Sequence, residues 1–204
     1  MVCFIIYYII PLSYKIFTLF LNHIFLLLKT IIIISGDKGS GKSTFLLEVL
    51  SLLRNDGVVV KGFVAIHEFE TDSYLIKNEA TNEDALILQR VGGYEKRPYH
   101  FHIFEEGVEK GLSWIEEILE QPPNIAVIDE IGGYELQGNI WCNCFTRLVE
   151  SDIPLIFTVN TKHLEQVIKK WNIEASIILD SDDFDDPNKA FEKIKEWILP
   201  TLQQ

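Results

Sequence analysis

A glycine-rich segment that also carries lysine and hydroxyl side chains is the part of this chain best suited to chemistry. Its residues are Gly36, Asp37, Lys38, Gly39, Ser40, Gly41, Lys42, Ser43 and Thr44. The apolar run 30–35 precedes it and a helical pattern follows, which is the context in which G-x-x-x-x-G-K-[ST] binds phosphate. The segment, called the phosphate loop below, therefore predicts binding of a nucleoside triphosphate.

The residue types of the phosphate loop predict separate roles. Its glycines allow a tight turn with backbone N–H groups directed at the phosphates, and the following helix adds its positive N-terminal end. We expect Lys42 to contact the β- and γ-phosphates as a catalytic group, Ser43 to ligate Mg²⁺ and Thr44 to contact the α-phosphate. Lys38 is third in the motif, so it is out of register for a lysine that reaches across a dimer. We expect it in solvent, near the γ-phosphate.

Two acidic residues follow a second apolar run, 125–128. Ligands bind at the carboxyl ends of strands in parallel sheets, so this pair is a candidate site. We expect Asp129, 86 residues after Ser43, to hold Mg²⁺ and Glu130 to orient or deprotonate the attacking water. A loop-capping role is the alternative for Glu130. Asn160 ends a third apolar run and is either a γ-phosphate sensor or the N-cap of the next helix.

The elements that must position these residues alternate along the chain. Strands are predicted at 30–35, 58–67, 124–128, 154–159 and 176–179, and helices at about 42–55, 105–121, 140–150, 161–171 and 187–200. Asp186 is expected to cap the last helix and Pro200 to end it. Short strands at 72–77, 85–91 and 99–104 have no helix between them and predict an antiparallel hairpin insertion. The pattern indicates a three-layer α/β fold with a mostly parallel sheet.

Composition limits the partners of this chain. The 204 residues carry a net charge of −12, and residues 1–30 contain two lysines and no acid, so residues 31–204 carry −14. A domain this acidic is a poor partner for a phosphate backbone, because such binding needs a basic face, so no nucleic-acid partner is expected. Three cysteines form no even disulfide framework, which favours a reducing cytoplasm.

Residues 1–28 form a hydrophobic N-terminal extension before the domain at 29–204. The stretch is long enough to span a membrane, but it contains Lys15, Pro11, Asn22 and His23, and a mid-membrane charge costs about 3 kcal/mol. It also leaves almost no linker before the first strand. Two interpretations remain: a mis-assigned start codon, or a membrane anchor as the sole membrane contact.

Three further clusters have possible metal-binding residue types. Cys142 and Cys144 have no second pair, and their spacing favours two small residues on a helix. His100 and His102 share one face of a strand, where an ordinary surface is favoured over a metal site. The acids at 180–186 lack the spacing of a calcium loop, which favours a solvated loop.

The second acidic motif carries a resemblance. Ile128-Asp129-Glu130-Ile131-Gly132, followed by Gly133-Tyr134-Glu135-Leu136, resembles the Asp-Glu-Ile-Gly-x-x-Glu-Leu stretch of thermophile-type nucleoside-triphosphatases, a P-loop family with a human cancer-related member. Gly62-Phe63 fits as well, and the resemblance covers about residues 30–175. It implies a RecA-like fold and slow hydrolysis of ATP, GTP and other triphosphates. It also implies that Glu130 activates water and that Glu135 is a second acid beside the site.

Three functions remain open from the sequence. The leading hypothesis is a Mg²⁺-dependent nucleoside-triphosphatase with broad base preference, in which catalysis is positioning plus electrostatics. A small-molecule kinase is disfavoured because the four arginines are scattered along the chain. A slow nucleotide-dependent switch or binding module is the third. The oligomeric state and any arginine finger are undetermined.

Overall fold

A computed structural model describes residues 29–92 and 100–202 of the chain. In chain order its elements are β1 (Ile31–Gly36), α1 (Lys42–Asn55), β2 (Val60–Glu68), β3 (Ser73–Asn78), β4 (Asp84–Val91), β5 (His100–Ile103), α2 (Glu105–Glu120), β6 (Ile125–Ile131), α3 (Gly133–Leu136), α4 (Cys142–Glu150), β7 (Leu155–Asn160), α5 (Leu164–Trp171), β8 (Ile177–Leu179) and α6 (Pro187–Leu202). Short 3₁₀ turns, Thr161–His163 and Ser181–Asp183, follow β7 and β8.

The eight strands form one mixed sheet in the order β5-β4-β3-β2-β6-β7-β1-β8. Neighbouring strands pair in parallel along the part of the sheet formed by β2, β6, β7, β1 and β8. Strands β3, β4 and β5 extend the sheet beyond β2 with antiparallel pairing. The predicted fold class, including the antiparallel insertion, is confirmed. β7 lies between β1 and β6, so the strand after which the phosphate loop begins and the strand that carries the acid pair are separated by one strand.

Helices cover both faces of the sheet because the central strands are apolar on both sides. Along β1, Ile31 and Ile33 pack into the core that includes Phe145 of α4, while Ile32 and Ile34 pack into the core that includes Phe45 of α1. The first core also holds residues of α2 and α5, and the second holds residues of α6. This alternation with period two produces the three predicted layers.

Close packing of β2 on β6 explains a glycine within an apolar strand. Gly62 has a φ of 132°, and a Cβ at this position would lie 1.9 Å from the carbonyl oxygen of Val127. Any larger residue would force the two parallel strands apart. The next residue, Phe63, is fully buried and packs on Trp141 with ring centroids 5.0 Å apart.

Several predicted boundaries differ from the structure by a few residues, and two of these differences need an explanation. Pro200 was expected to end the last helix, but α6 continues to Leu202. That expectation is wrong: proline disturbs a helix by losing its N–H hydrogen bond and by clashing with the carbonyl four residues earlier, and α6 accommodates both in its final turn. The strand that ends at 128 in the sequence prediction continues to Ile131, so both acids of the candidate site belong to β6.

Within residues 29–92 and 100–202, no helix is long and apolar enough to cross a membrane. The hydrophobic extension at residues 1–28, with its two interpretations, lies outside the described residues.

Candidate active site

The phosphate loop connects β1 to α1 through a turn that requires glycine. Gly39 and Gly41 have φ values of 79° and 94°, in the left-handed region. At Gly36 a Cβ would lie 2.5 Å from the Ser40 hydroxyl oxygen and 3.2 Å from Cγ of Lys42. No side chain caps the N-terminus of α1, so its first N–H groups remain directed toward the loop. This geometry suits bound phosphate oxygens.

Lys42 is held across the phosphate loop. Its side chain is 6% exposed, and Nζ donates a hydrogen bond to the carbonyl oxygen of Asp37 at 3.0 Å. The ammonium group is therefore fixed over the loop before any ligand arrives. Lys38 is exposed and lines the cavity that is described below. Lys42 is therefore buried within the loop and Lys38 is exposed to solvent, as their positions in the motif predict.

Asp129 is a buried carboxylate surrounded by donors. It is 1% exposed, it accepts the Ala65 N–H at 2.9 Å, and it accepts the Thr158 hydroxyl. Burial raises the pKa of Asp129 to about 6, and the charge of Glu130 adds to this, while hydrogen bonds from Thr158, Ala65 and Ser43 oppose it. Ser43 is therefore near Asp129, and the hard oxygen donors of these two predicted metal ligands suit Mg²⁺.

Glu130 leaves the regular alternation of β6. Ile128 and Ile131 are three residues apart, yet both pack into the same core, and the pairing with β7 shifts register between them. The intervening Glu130 has a φ of 67° and an exposed side chain, and its N–H donates to the Thr158 hydroxyl at 2.8 Å. A non-glycine residue in this region costs about 1–3 kcal/mol. This left-handed backbone conformation directs the Glu130 carboxylate away from the core and into the cavity described below.

Glu135 stabilises the turn that follows the acid pair. It is 2% exposed, its Oε2 accepts the Gly132 N–H at 2.9 Å, and burial raises its pKa. The Nζ of Lys170 donates to the Glu135 carbonyl oxygen at 2.6 Å and anchors the same turn to α5. Glu135 therefore lies beside the site, as the family resemblance implies, and its carboxylate accepts a hydrogen bond from the backbone.

Asn160 lies opposite Gly36 in the pairing of β7 with β1, beside the phosphate loop. Its side-chain oxygen accepts the Lys162 N–H at 3.1 Å, so it caps the 3₁₀ turn and also lines the cavity. The capping interpretation is observed, and a role as a γ-phosphate sensor remains a prediction.

Sequence reasoning missed Thr158 and His163. Thr158 is fully buried and contacts both acids, and its hydroxyl inside an otherwise apolar strand was a usable signal. The ring of His163 packs against the Gly132–Gly133 turn, with Cδ2 3.6 Å from where a Cβ of Gly132 would lie. Burial lowers the pKa of His163, and the charge of Lys162 lowers it further. No local pattern indicated that contact.

One cavity of about 850 Å³ is lined by Lys42, Asp129, Glu130, Glu135, Asn160 and His163. It extends from the phosphate loop past Asp129 and Glu130 to the antiparallel strands β3–β5. Its size falls within the range of about 300–1,000 Å³ that small-molecule sites occupy. Of the arginines in the described part of the chain, Arg54 and Arg147 form ion pairs with Glu79 and Glu116, and Arg90 lines the cavity.

The other candidate metal ligands do not cluster. Among the residues that the structure describes, no three His, Cys, Asp or Glu side chains come together to hold a metal ion. His100 and His102 are exposed on β5, and Cys142 and Cys144 are buried on α4. The surface interpretation of the histidines and the helical interpretation of the cysteines agree with these positions.

Comparison with known proteins identifies the family. A family model described as NTPase matches residues 31–183, so the chain belongs to this NTPase family. Two similar proteins are both named nucleoside-triphosphatase THEP1. That of Methanopyrus kandleri is 24% identical over 177 residues, which cover 82% of this chain and 96% of the relative. That of Methanocaldococcus jannaschii is 26% identical over 176 residues, which cover 84% and 99%.

Two solved structures share the fold. The crystal structure of THEP1 from Aquifex aeolicus has a TM-score of 0.60 at 16% identity, and the match covers 80% of this chain and 99% of that one. The solution structure of a human cancer-related nucleoside triphosphatase has a TM-score of 0.58 at 15% identity, with 79% and 96% covered. The resemblance inferred from the acidic motif is confirmed, and so is the assignment to the nucleoside-triphosphatase class.

Proposed function

We propose that this protein hydrolyses nucleoside triphosphates with Mg²⁺, and that Glu130 activates the attacking water. The phosphate loop and Lys42 would hold the β- and γ-phosphates, and Ser43 with Asp129 would hold the ion. When bound, the ion neutralises charge on the phosphate oxygens. Asp129 suits this role because its carboxylate is buried near Ser43, and a bound cation would offset the burial and the charge of Glu130 that raise its pKa.

The departure of Glu130 from strand alternation carries the proposal. The register shift between Ile128 and Ile131, called the bulge below, places the exposed carboxylate of Glu130 directly after the buried one of Asp129. Glu130 thereby lines the cavity that Lys42 also lines. A carboxylate in that position can accept a proton from water in line with the γ-phosphate. The relatives' name, nucleoside-triphosphatase, supports the same reaction.

Base preference is proposed to be broad. Every contact assigned above concerns phosphate, metal or water, so a different base leaves the chemistry unchanged. A kinase receives less support, because kinases usually bring several arginines to the transferring phosphate, and Arg54 and Arg147 are committed to other ion pairs.

Phosphate release by the purified full chain tests the proposal. We expect Mg²⁺-dependent release from ATP, GTP, CTP and UTP at rates within about tenfold of one another, a spread of about 1.4 kcal/mol. Glu130→Gln should abolish release while calorimetry still detects binding of the non-hydrolysable ATP analogue AMP-PNP. Unchanged turnover of Glu130→Gln would reject the role of Glu130.

A further inference from the structure

The far end of the cavity is built from aromatic side chains that the hydrolytic site does not use. His67, Phe69, Tyr74 and Phe101 line it together with Arg90, and we call this part the aromatic compartment. The His67 ring stacks on Tyr74 with centroids 4.6 Å apart and contacts Phe69 edge-on at 4.5 Å. Tyr74 meets Phe101 at 5.9 Å. Aromatic side chains of neighbouring segments therefore pack together and line one part of the cavity.

Polar groups lie at the edge of these rings. Asp72 accepts from Nε2 of His67 at 3.0 Å and pairs with Nη1 of Arg90 at 3.2 Å. The guanidinium carbon of Arg90 also lies 5.7 Å from the centre of the Phe101 ring. Ring faces with fixed donors and acceptors at their edges suit a planar ligand that carries hydrogen-bonding groups around its rim.

Strand order places the aromatic compartment on the γ-phosphate side of the phosphate loop. The acid pair lies on β6, and the compartment lies beyond it on β2–β5, whereas β8 flanks β1 on the opposite side. Under the roles proposed above, with Glu130 at the γ-phosphate and Thr44 at the α-phosphate, the nucleoside of the same molecule extends away from β6. We therefore do not expect one triphosphate to fill both the phosphate loop and the aromatic compartment.

Phe69 gives the compartment an exposed ring at its mouth. It lies between β2 and β3, where its side chain is 85% exposed while still lining the cavity. An exposed aromatic ring beside a cavity can stack on a base.

We propose that the aromatic compartment binds a second ligand, a heteroaromatic compound of nucleoside size, while a triphosphate occupies the phosphate loop. The proposal rests on the proposed function, because the bound triphosphate defines the γ-phosphate side. The occupant is inferred from the ring faces, from the polar edge formed by Asp72, His67 and Arg90, and from the continuity of the compartment with the catalytic cavity.

Saturation-transfer NMR on the full chain tests this proposal. The phosphate loop is first saturated with AMP-PNP and Mg²⁺, with calorimetry as the check, and cytidine or guanosine is then added as the probe. Uncharged nucleosides have no phosphate with which to compete for the loop. We expect transfer to the nucleoside protons that persists at saturating AMP-PNP.

Variants locate the binding. Stacking of a base on one aromatic ring is lost in Phe69→Ala and Tyr74→Ala, and we expect about fivefold weaker nucleoside binding or more. Phe69→Ala removes an exposed ring, so folding is not at risk. Ile103→Ala, an exposed apolar residue on β5 of the same extension, is the matched control and should bind nucleoside as the unmodified chain does.

Each negative result has its own meaning. Nucleoside signals that vanish at saturating AMP-PNP, or that never appear, would overturn the second site alone. Undiminished nucleoside binding by both aromatic variants would also overturn it. If AMP-PNP itself fails to bind, the proposed function fails, and this inference fails with it.

Discussion

The backbone N–H of Glu130 donates a hydrogen bond to the side-chain hydroxyl of Thr158 at 2.8 Å. The same hydroxyl donates to the carboxylate of Asp129, so one side chain of β7 holds both acids of β6. Thr158 is therefore a positioning residue. It supports the left-handed backbone at Glu130 and holds the Asp129 carboxylate in place.

Thr158→Val removes that hydroxyl and nearly preserves the shape of the side chain. The N–H of Glu130 and the buried carboxylate of Asp129 lose a partner, and we expect the free energy of unfolding to fall by about 1–3 kcal/mol. Misplacement of the acids should lower kcat for phosphate release by about tenfold to a hundredfold, with a smaller change in KM. Steady-state kinetics and thermal unfolding measure both effects.

Thr161→Val, an exposed position just after β7, is the control and should match the unmodified chain. A Thr158→Val protein that is less stable but has unchanged kcat would show that the hydroxyl supports folding alone.

Lys42→Ala and Lys38→Ala form a matched pair within the phosphate loop. Lys42 is buried and fixed by the Asp37 carbonyl, so its loss should weaken AMP-PNP binding by about 30-fold or more. Lys38 is exposed, and an exposed charge contributes at most about 1 kcal/mol, so its loss should cost less than about fivefold. Calorimetry with Mg²⁺ gives both affinities, and equal losses would reject the distinction.

Local patterns predicted the parts of the site that depend on local geometry. The phosphate loop and the bounds of α1 follow from glycine, lysine and apolar spacing within one segment, and Gly57, with a φ of 85°, ends the helix as its sequence position suggested. The antiparallel extension followed from three short strands without helices between them. These features require no knowledge of which distant segments meet.

Features that depend on strand pairing were not predictable in the same way. An apolar strand that ends in Asp129 and Glu130 is equally compatible with plain alternation, and only the pairing with β7 reveals the bulge. The contacts of Thr158 and His163 arise because β7 inserts beside β6, and nothing local specifies that neighbour. The four-residue helix α3 is too short to show a period.

Glu135→Gln tests whether the buried Glu135 carboxyl group affects the stability of the fold more than it affects hydrolysis. The pKa of Glu135 is raised in the folded protein by burial, so its ionised form is disfavoured there. The contribution of Glu135 to the free energy of unfolding is therefore fully present below the ordinary glutamate pKa. This contribution is lost as the pH rises through the raised pKa. Glutamine cannot ionise, and its side-chain oxygen can still accept the Gly132 N–H.

We therefore expect the stability of Glu135→Gln, relative to the unmodified chain, to increase as the pH rises from about 4 to 8. Urea unfolding without nucleotide measures it, and exposed Glu109→Gln on α2 is the control, with no such trend. Phosphate release should fall less than in Glu130→Gln. A flat difference across this pH range would contradict the burial argument.

Glu130→Gly tests whether strain at the site is maintained for function. Glycine adopts a φ of 67° without the steric cost that an L side chain incurs. We expect the free energy of unfolding to rise by about 1 kcal/mol while phosphate release is lost with the carboxylate. Glu130→Gln keeps the strained side chain, so it should lose activity without the gain in stability.

Chemical unfolding and phosphate release of both variants separate the two effects. If Glu130→Gly is no more stable than Glu130→Gln, the left-handed backbone is not a source of strain, and the bulge holds Glu130 toward the γ-phosphate at no cost in stability.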